Sequence, residues 1–136
     1  MRDDLRIDVR VKIAALWAAT LFLFAYGDIF GFFRPGEIQG VMAGTVSGIK
    51  ISQTFLLATS AFIAIPSAMV FLTLVLKPAI NRWTNVVLGG LYAASVVLLT
   101  IGETWAYYYF LSAAETILLL VIVWYAWRWP GPQQEH

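Results

Sequence analysis

Glu115 stands in the run "YYYFLSAAETILLLVIVW", with apolar residues on both sides. A carboxyl inside so apolar a segment is costly, and by default it marks a functional position. Helical spacing puts Thr104, Tyr108, Ser112 and Glu115 on one face. Such a stripe could anchor the polar group of an amphipathic ligand or move a proton. Asp28, in "LFLFAYGDIFGFF", is the second such carboxyl and shares a face with Trp17 and Phe24. Gln53, Ser60 and Ser67 recur every seven residues. Asn85 and Tyr92 share a face with Ser95 nearby, and Glu103 joins them if that helix extends far enough. If these faces turn inward, they enclose a polar pocket open to the outside with Glu115 at its floor. The candidate ligand-contacting residues are therefore Glu115, Asp28, Tyr108, Ser112, Tyr92, Ser60, Gln53, Glu103 and Trp17.

The same residue types also serve as structural ties. Ser, Thr, Tyr and Asn side chains often hydrogen-bond between membrane helices simply to hold them together. Glu115 would act this way by donating, as a neutral acid, to a neighbouring hydroxyl. Asp28 would do so by pairing with Arg34 or capping a helix. Function and structural tie both stay open for these two carboxyls.

Several chemistries are excluded. The chain has no cysteine, so thiolate nucleophiles and thiolate-bound clusters are ruled out. Its one histidine is His136, which rules out an axial imidazole within the apolar segments. Asp28, Glu37 and Glu103 lack the dense oxygen spacing of a calcium loop. No metal and no cofactor is expected. Two carboxyls and several tyrosines can do acid–base work, but no spacing specifies a reaction. The enzymatic reading reduces to an isomerase acting on a hydrophobic substrate, and the balance leans away from an enzyme.

The elements that must position these residues follow from composition. Of 136 residues, 60% are hydrophobic and 12% charged, which is the profile of an integral membrane protein. Four runs approach or exceed the roughly 20 apolar residues that cross a bilayer core. They cover residues 12–33, 51–76, 85–101 and 104–129. Together they predict one all-α domain over residues 1–136, an antiparallel up-down-up-down bundle of four transmembrane helices. Lys77 and Arg82 fall in the connection between the second and third spans. Pro66 should kink the second span, and Pro130 should stop the fourth.

Basic residues set the expected orientation. Arg2, Arg6, Arg10, Lys12, Lys77, Arg82 and Arg128 fall on one side, and Arg34 and Lys50 on the other. That bias predicts a multi-pass protein of the cytoplasmic membrane with both termini in the cytoplasm. Trp124, Tyr125, Trp127 and Trp129 would anchor the inner interface, and Trp105 with Tyr107–Tyr109 the outer one. The first span has too long an apolar run and no clear cleavage site for a signal peptide, so it reads as a retained anchor. The preceding "LRIDVRVK" alternates like a strand, although a frayed helix start or a cytoplasmic tether fits as well. The net charge of +1 gives no reason to expect a nucleic-acid partner.

Between the first two spans, "PGEIQGVMAGTVSGIK" repeats glycine at Gly36, Gly40, Gly44 and Gly48. It has too few large apolar residues to span a membrane. Pro35 suits the first turn of a helix. The segment therefore reads as a short glycine-rich outer helix or loop, with "GTVSG" a turn into the second span. The helix would lie across the pocket mouth as a lid.

The pattern of "ALWAATLFLFAYGD", "PGEIQG", "AIPSAMVFLTLVLKP", "NRW" and "VIVWYAW" resembles a family of small, uncharacterised four-helix bacterial membrane proteins. More distantly, it resembles the DoxX-like group. The resemblance covers nearly the whole chain. It implies a four-helix domain in the cytoplasmic membrane and supplies no active site. Three functions remain open. The first is binding of a small amphipathic or hydrophobic ligand in the pocket. The second is proton-coupled transport by a homodimer. The third is an accessory role in a larger membrane complex. The expected partners are the lipid bilayer, a small amphipathic ligand and a second copy of the chain.

Overall fold

The structure is a computed structural model that describes residues 7–129. Its elements run α1 (Val9–Gly31), α2 (Glu37–Met42), β1 (Thr45–Val46), β2 (Ile49–Lys50), α3 (Gln53–Val75), α4 (Pro78–Thr100) and α5 (Ala106–Trp127). The four long helices have 23, 23, 23 and 22 residues. At 1.5 Å per residue each is about 33–35 Å long, enough for a hydrocarbon core of about 30 Å.

Local chemistry fixes the helix ends. The Asp8 carboxylate accepts from the Arg10 backbone N–H at 2.9 Å and starts α1. The Arg10 guanidinium adds a 2.7 Å ion pair to the same carboxylate. Those Arg10 hydrogen bonds outweigh partial burial and hold Asp8 below the usual carboxylate range. Ser52 caps α3 by accepting from the Phe55 N–H at 3.1 Å. Pro78 is the first residue of α4, where its missing N–H costs nothing. This moves the start of the third span back from residue 85, so that "NRW" lies inside the helix.

The glycine repeat is turn chemistry around a short helix. Gly36, Gly44 and Gly48 all have positive φ, and Gly40 lies within α2. β1 and β2 pair antiparallel, with Thr45 opposite Lys50 and Val46 opposite Ile49. Ser47 and Gly48, at φ 50° and 80°, form the two-residue turn between them. Positive φ at both positions is what a type I′ hairpin turn requires.

The long helices pack unevenly. α1 lies against α3 and α5, and α4 lies against α5, whereas α3 and α4 barely touch. The interior is built on Ile13, Trp17, Met69, Tyr92, Leu119 and Ile122. Large apolar side chains also face outward, among them Leu57 (72% exposed), Phe71 (64%) and Phe110 (73%). Helices apolar on both faces suit hydrocarbon on the outside.

Pro66 explains one of the few ties between α3 and α4. Without an N–H it leaves the Phe62 carbonyl, one turn earlier, with no intrahelical donor. The Tyr92 hydroxyl from α4 donates to that carbonyl at 2.7 Å. The Tyr92 and Phe62 rings also pack at a 38° tilt, 4.7 Å between centroids. Tyr92→Phe is expected to destabilise the fold by about 1–2 kcal/mol through the orphaned carbonyl. In a Pro66→Ala background the restored N–H at position 66 takes over the Phe62 carbonyl, and the loss should shrink. A double-mutant cycle on detergent-solubilised protein checks this; strictly additive losses would refute the account.

Candidate functional site

A cavity of about 200 Å³ lies between all four long helices. α1 supplies Phe24, Gly27 and Asp28, and α3 supplies Thr59, Phe62 and Ile63. α4 adds Val96 and Leu99, and α5 adds Tyr108, Leu111, Ser112 and Glu115. It lies toward the end of the molecule that carries the α1–α3 and α4–α5 connections. Where α3 and α4 part, no helix–helix seam fills the space.

Glu115 sits about 13 Å along α5 from its first residue. It is 8% exposed and makes no hydrogen bond or ion pair with any described residue. Asp28 is likewise without a hydrogen bond or ion pair there and lies within electrostatic reach of Glu115. Both carboxyls act electrostatically on the Tyr108 phenol. The wall therefore carries two acids, hydroxyls from Thr59, Ser112 and Tyr108, and an otherwise apolar surface, with no Lys, Arg or His among the described residues.

Of the residues expected from the sequence, the cavity gathers Glu115, Asp28, Tyr108 and Ser112. Tyr92 and Trp17 lie nearer the chain-terminal end and are already engaged. Tyr92 bonds the Phe62 carbonyl, and the Trp17 indole N–H donates to Asn85 Oδ1 at 2.7 Å. Glu103 sits in the α4–α5 connection, where the Arg34 guanidinium approaches its two oxygens at 2.8 and 3.4 Å. Its carboxylate also accepts the Thr104 and Trp105 N–H groups at 3.0 Å each, at the start of α5. Burial pushes the Glu103 carboxyl up, but these donors and Arg34 outweigh it and hold it below the usual carboxylate range. The Arg34 guanidinium also stacks over Trp105 at 5.0 Å and Tyr107 at 5.9 Å.

Gln53 and Ser60 lie on exposed positions of α3, away from the cavity. The α3 wall is Thr59, Phe62 and Ile63, which the seven-residue polar repeat did not single out. α2 packs chiefly on β1 and contributes no lining residue, so the expected lid does not cover this cavity. Among the described residues, no group of three or more metal-ligating side chains is present.

A second polar cluster, which the sequence reading did not assemble, holds the chain-terminal end. Asn85 Nδ2 donates to the Asn81 side-chain oxygen at 2.7 Å and to the Asn81 carbonyl at 2.9 Å. Asn81 Nδ2 donates to the Thr73 carbonyl at 2.6 Å, and the Thr73 hydroxyl reaches Asn85 Oδ1 at 3.4 Å. Trp17, Thr73, Asn81 and Asn85 are all fully buried. This cluster is satisfied within itself and offers no free group to a ligand.

Four spanning-length apolar helices around a carboxyl-bearing cavity define a membrane protein. Over residues 6–135 the chain matches a family of unknown function, DUF6326, and it belongs to that family. No curated protein and no solved structure matches it.

Proposed function

We propose that this protein binds a small amphipathic or hydrophobic molecule in the four-helix cavity, with Glu115 and Asp28 as its polar anchors. In this reading the helices form an antiparallel up-down-up-down bundle in the cytoplasmic membrane. Both chain termini lie in the cytoplasm, and the cavity lies toward the outer face. The basic residues Lys12, Lys77, Arg82 and Arg128 near one end support that orientation. Sites between helices are a common use of bundles.

One observation carries the reading. Glu115 is more than nine-tenths buried and lines a cavity, yet no described residue bonds its carboxyl. A structural tie would show a partner, as Asn85 and Tyr92 do. The Glu115 oxygens open onto the cavity rather than being sealed in the packing, so a polar ligand group seated there would reach them.

Native mass spectrometry of the protein in mild detergent, wild type beside Glu115→Gln, tests this. The wild type should carry a discrete small molecule that the variant has lost. Two empty spectra, or equal retention by both forms, would count against the proposal.

A further inference from the structure

We propose that the cavity selects an organic cation, a lipophilic ammonium compound with a short apolar body. This rests on the ligand-binding reading above and adds the charge of the ligand to it. Two carboxyls, Asp28 and Glu115, share one cavity within electrostatic reach of each other. Among the described residues, no basic side chain lines the wall. Arg34, in the α1–α3 connection, is already committed to Glu103. Unlike the Arg34–Glu103 and Arg10–Asp8 pairs, these two acids have no counter-charge from the described residues.

Second-site chemistry in the same wall points the same way. Phe24, Phe62 and Tyr108 bring three aromatic rings to the cavity. Aromatic faces attract cations within about 6 Å of the ring centroid, most strongly where water is excluded. The remaining wall of Ile63, Val96, Leu99 and Leu111 suits an apolar body. A metal ion fits less well. A hard cation is held by a shell of oxygens on every side, and most of this wall is apolar or aromatic. An anionic ligand would face two uncompensated acids. A neutral one would leave both without a counter-charge. At about 200 Å³ the cavity is smaller than the roughly 300–1,000 Å³ of drug-sized sites, so the ligand is compact.

The test uses three probes of matched shape, phenethylamine, phenylethanol and phenylpropionate. Each is titrated by calorimetry into the full-length protein in a neutral detergent. The amine should bind about tenfold or more tightly than the alcohol and the carboxylate. Glu115→Gln should weaken amine binding by about tenfold and leave the alcohol nearly unchanged. Asp28→Asn, at a more exposed position, gives the same readout if Glu115→Gln does not fold. Thr59→Trp should block the cavity to all three probes while leaving both carboxyls in place. If the alcohol or the carboxylate binds as tightly as the amine and Thr59→Trp abolishes it, the cavity binds ligands and the cation inference is overturned. Amine binding that survives both Thr59→Trp and the carboxyl variants lies elsewhere and overturns it too. An amine that fails to bind overturns it outright. The ligand-binding reading falls with it only if the other two probes also fail.

Discussion

Asn85→Ala is expected to destabilise the protein by about 2–4 kcal/mol, one of the two largest losses foreseen for a single substitution. The reason lies in how completely Asn85 is used. An indole N–H can only donate, so the group facing Trp17 Nε1 at 2.7 Å must be the Asn85 oxygen. That fixes the amide, and its NH₂ then points to the two Asn81 oxygens at 2.7 and 2.9 Å. Truncation orphans the Trp17 N–H and the Asn81 side-chain oxygen inside a fully buried cluster. Each orphan costs about 1–3 kcal/mol. The unfolded chain in a membrane also finds partners, which lowers the net values. The Thr73 hydroxyl, held only at 3.4 Å, can turn to its own helix and adds little. Asn85→Asp sharpens the test. As a carboxylate, at high pH, it keeps the acceptor for Trp17 but sets an acceptor against Asn81 Oδ1, and it should then be at least as damaging as alanine. Trp17→Phe removes one donor and leaves a small void at a fully buried position, and should cost about 1–3 kcal/mol. Equilibrium unfolding in mixed micelles, followed by circular dichroism, gives these numbers. An Asn85→Asp variant as stable as wild type at high pH would show that the amide is not held in this way.

The sequence showed the four spans because hydrocarbon demands long apolar runs, and those need no tertiary information to read. Their ends were less legible. Lys77 and Arg82 fell in the connection between the second and third spans, yet Pro78 at the first helical position carries α4 across Arg82. That proline was the available signal, and it would have set Asn81 one turn from Asn85. The acids of the cavity were legible because a carboxyl in an apolar run stands out. The α3 wall was not. Gln53, Ser60 and Ser67 suggested an inward polar face, but a helical hydroxyl can satisfy itself. Ser67 donates to the Ile63 carbonyl at 2.8 Å and Thr59 to the Phe55 carbonyl at 2.9 Å. Such residues can face lipid or cavity alike. With apolar residues on both faces of α3, periodicity could not say which one turned inward. Pro66, Met69 and Thr73 trace the buried stripe, and half-buried Phe62 and Ile63 with exposed Thr59 meet the cavity farther along the helix.

Gly89→Leu is expected to cost about 3 kcal/mol or more, whereas Gly90→Leu, one residue along, should be neutral or stabilise by up to about 0.8 kcal/mol. A Cβ at Gly89 would lie 2.8 Å from Val123 Cγ2, 3.4 Å from Ile122 Cγ2 and 3.4 Å from the Leu119 carbonyl oxygen. Valine is stiff at χ1, and a backbone carbonyl in mid-helix cannot turn away. Gly89→Ala therefore sets a clash against the roughly 0.8–1 kcal/mol that alanine gains over glycine in a helix, and its net cost should be small. Leucine adds three more carbons to the same seam, and there the helices must separate. That separation matters because α4 rests mainly on α5 and barely touches α3. Val96 and Leu99 of α4 also wall the cavity, so the same change should weaken ligand retention. At Gly90 no atom of the described residues lies within 4 Å of the added Cβ, and leucine there meets lipid or detergent. Thermal unfolding of the two leucine variants side by side separates packing from composition, because both add the same side chain to adjacent positions of one helix. Equal stability of the pair would mean that α4 and α5 do not meet at Gly89, and the arrangement of helices around Glu115 would have to be redrawn.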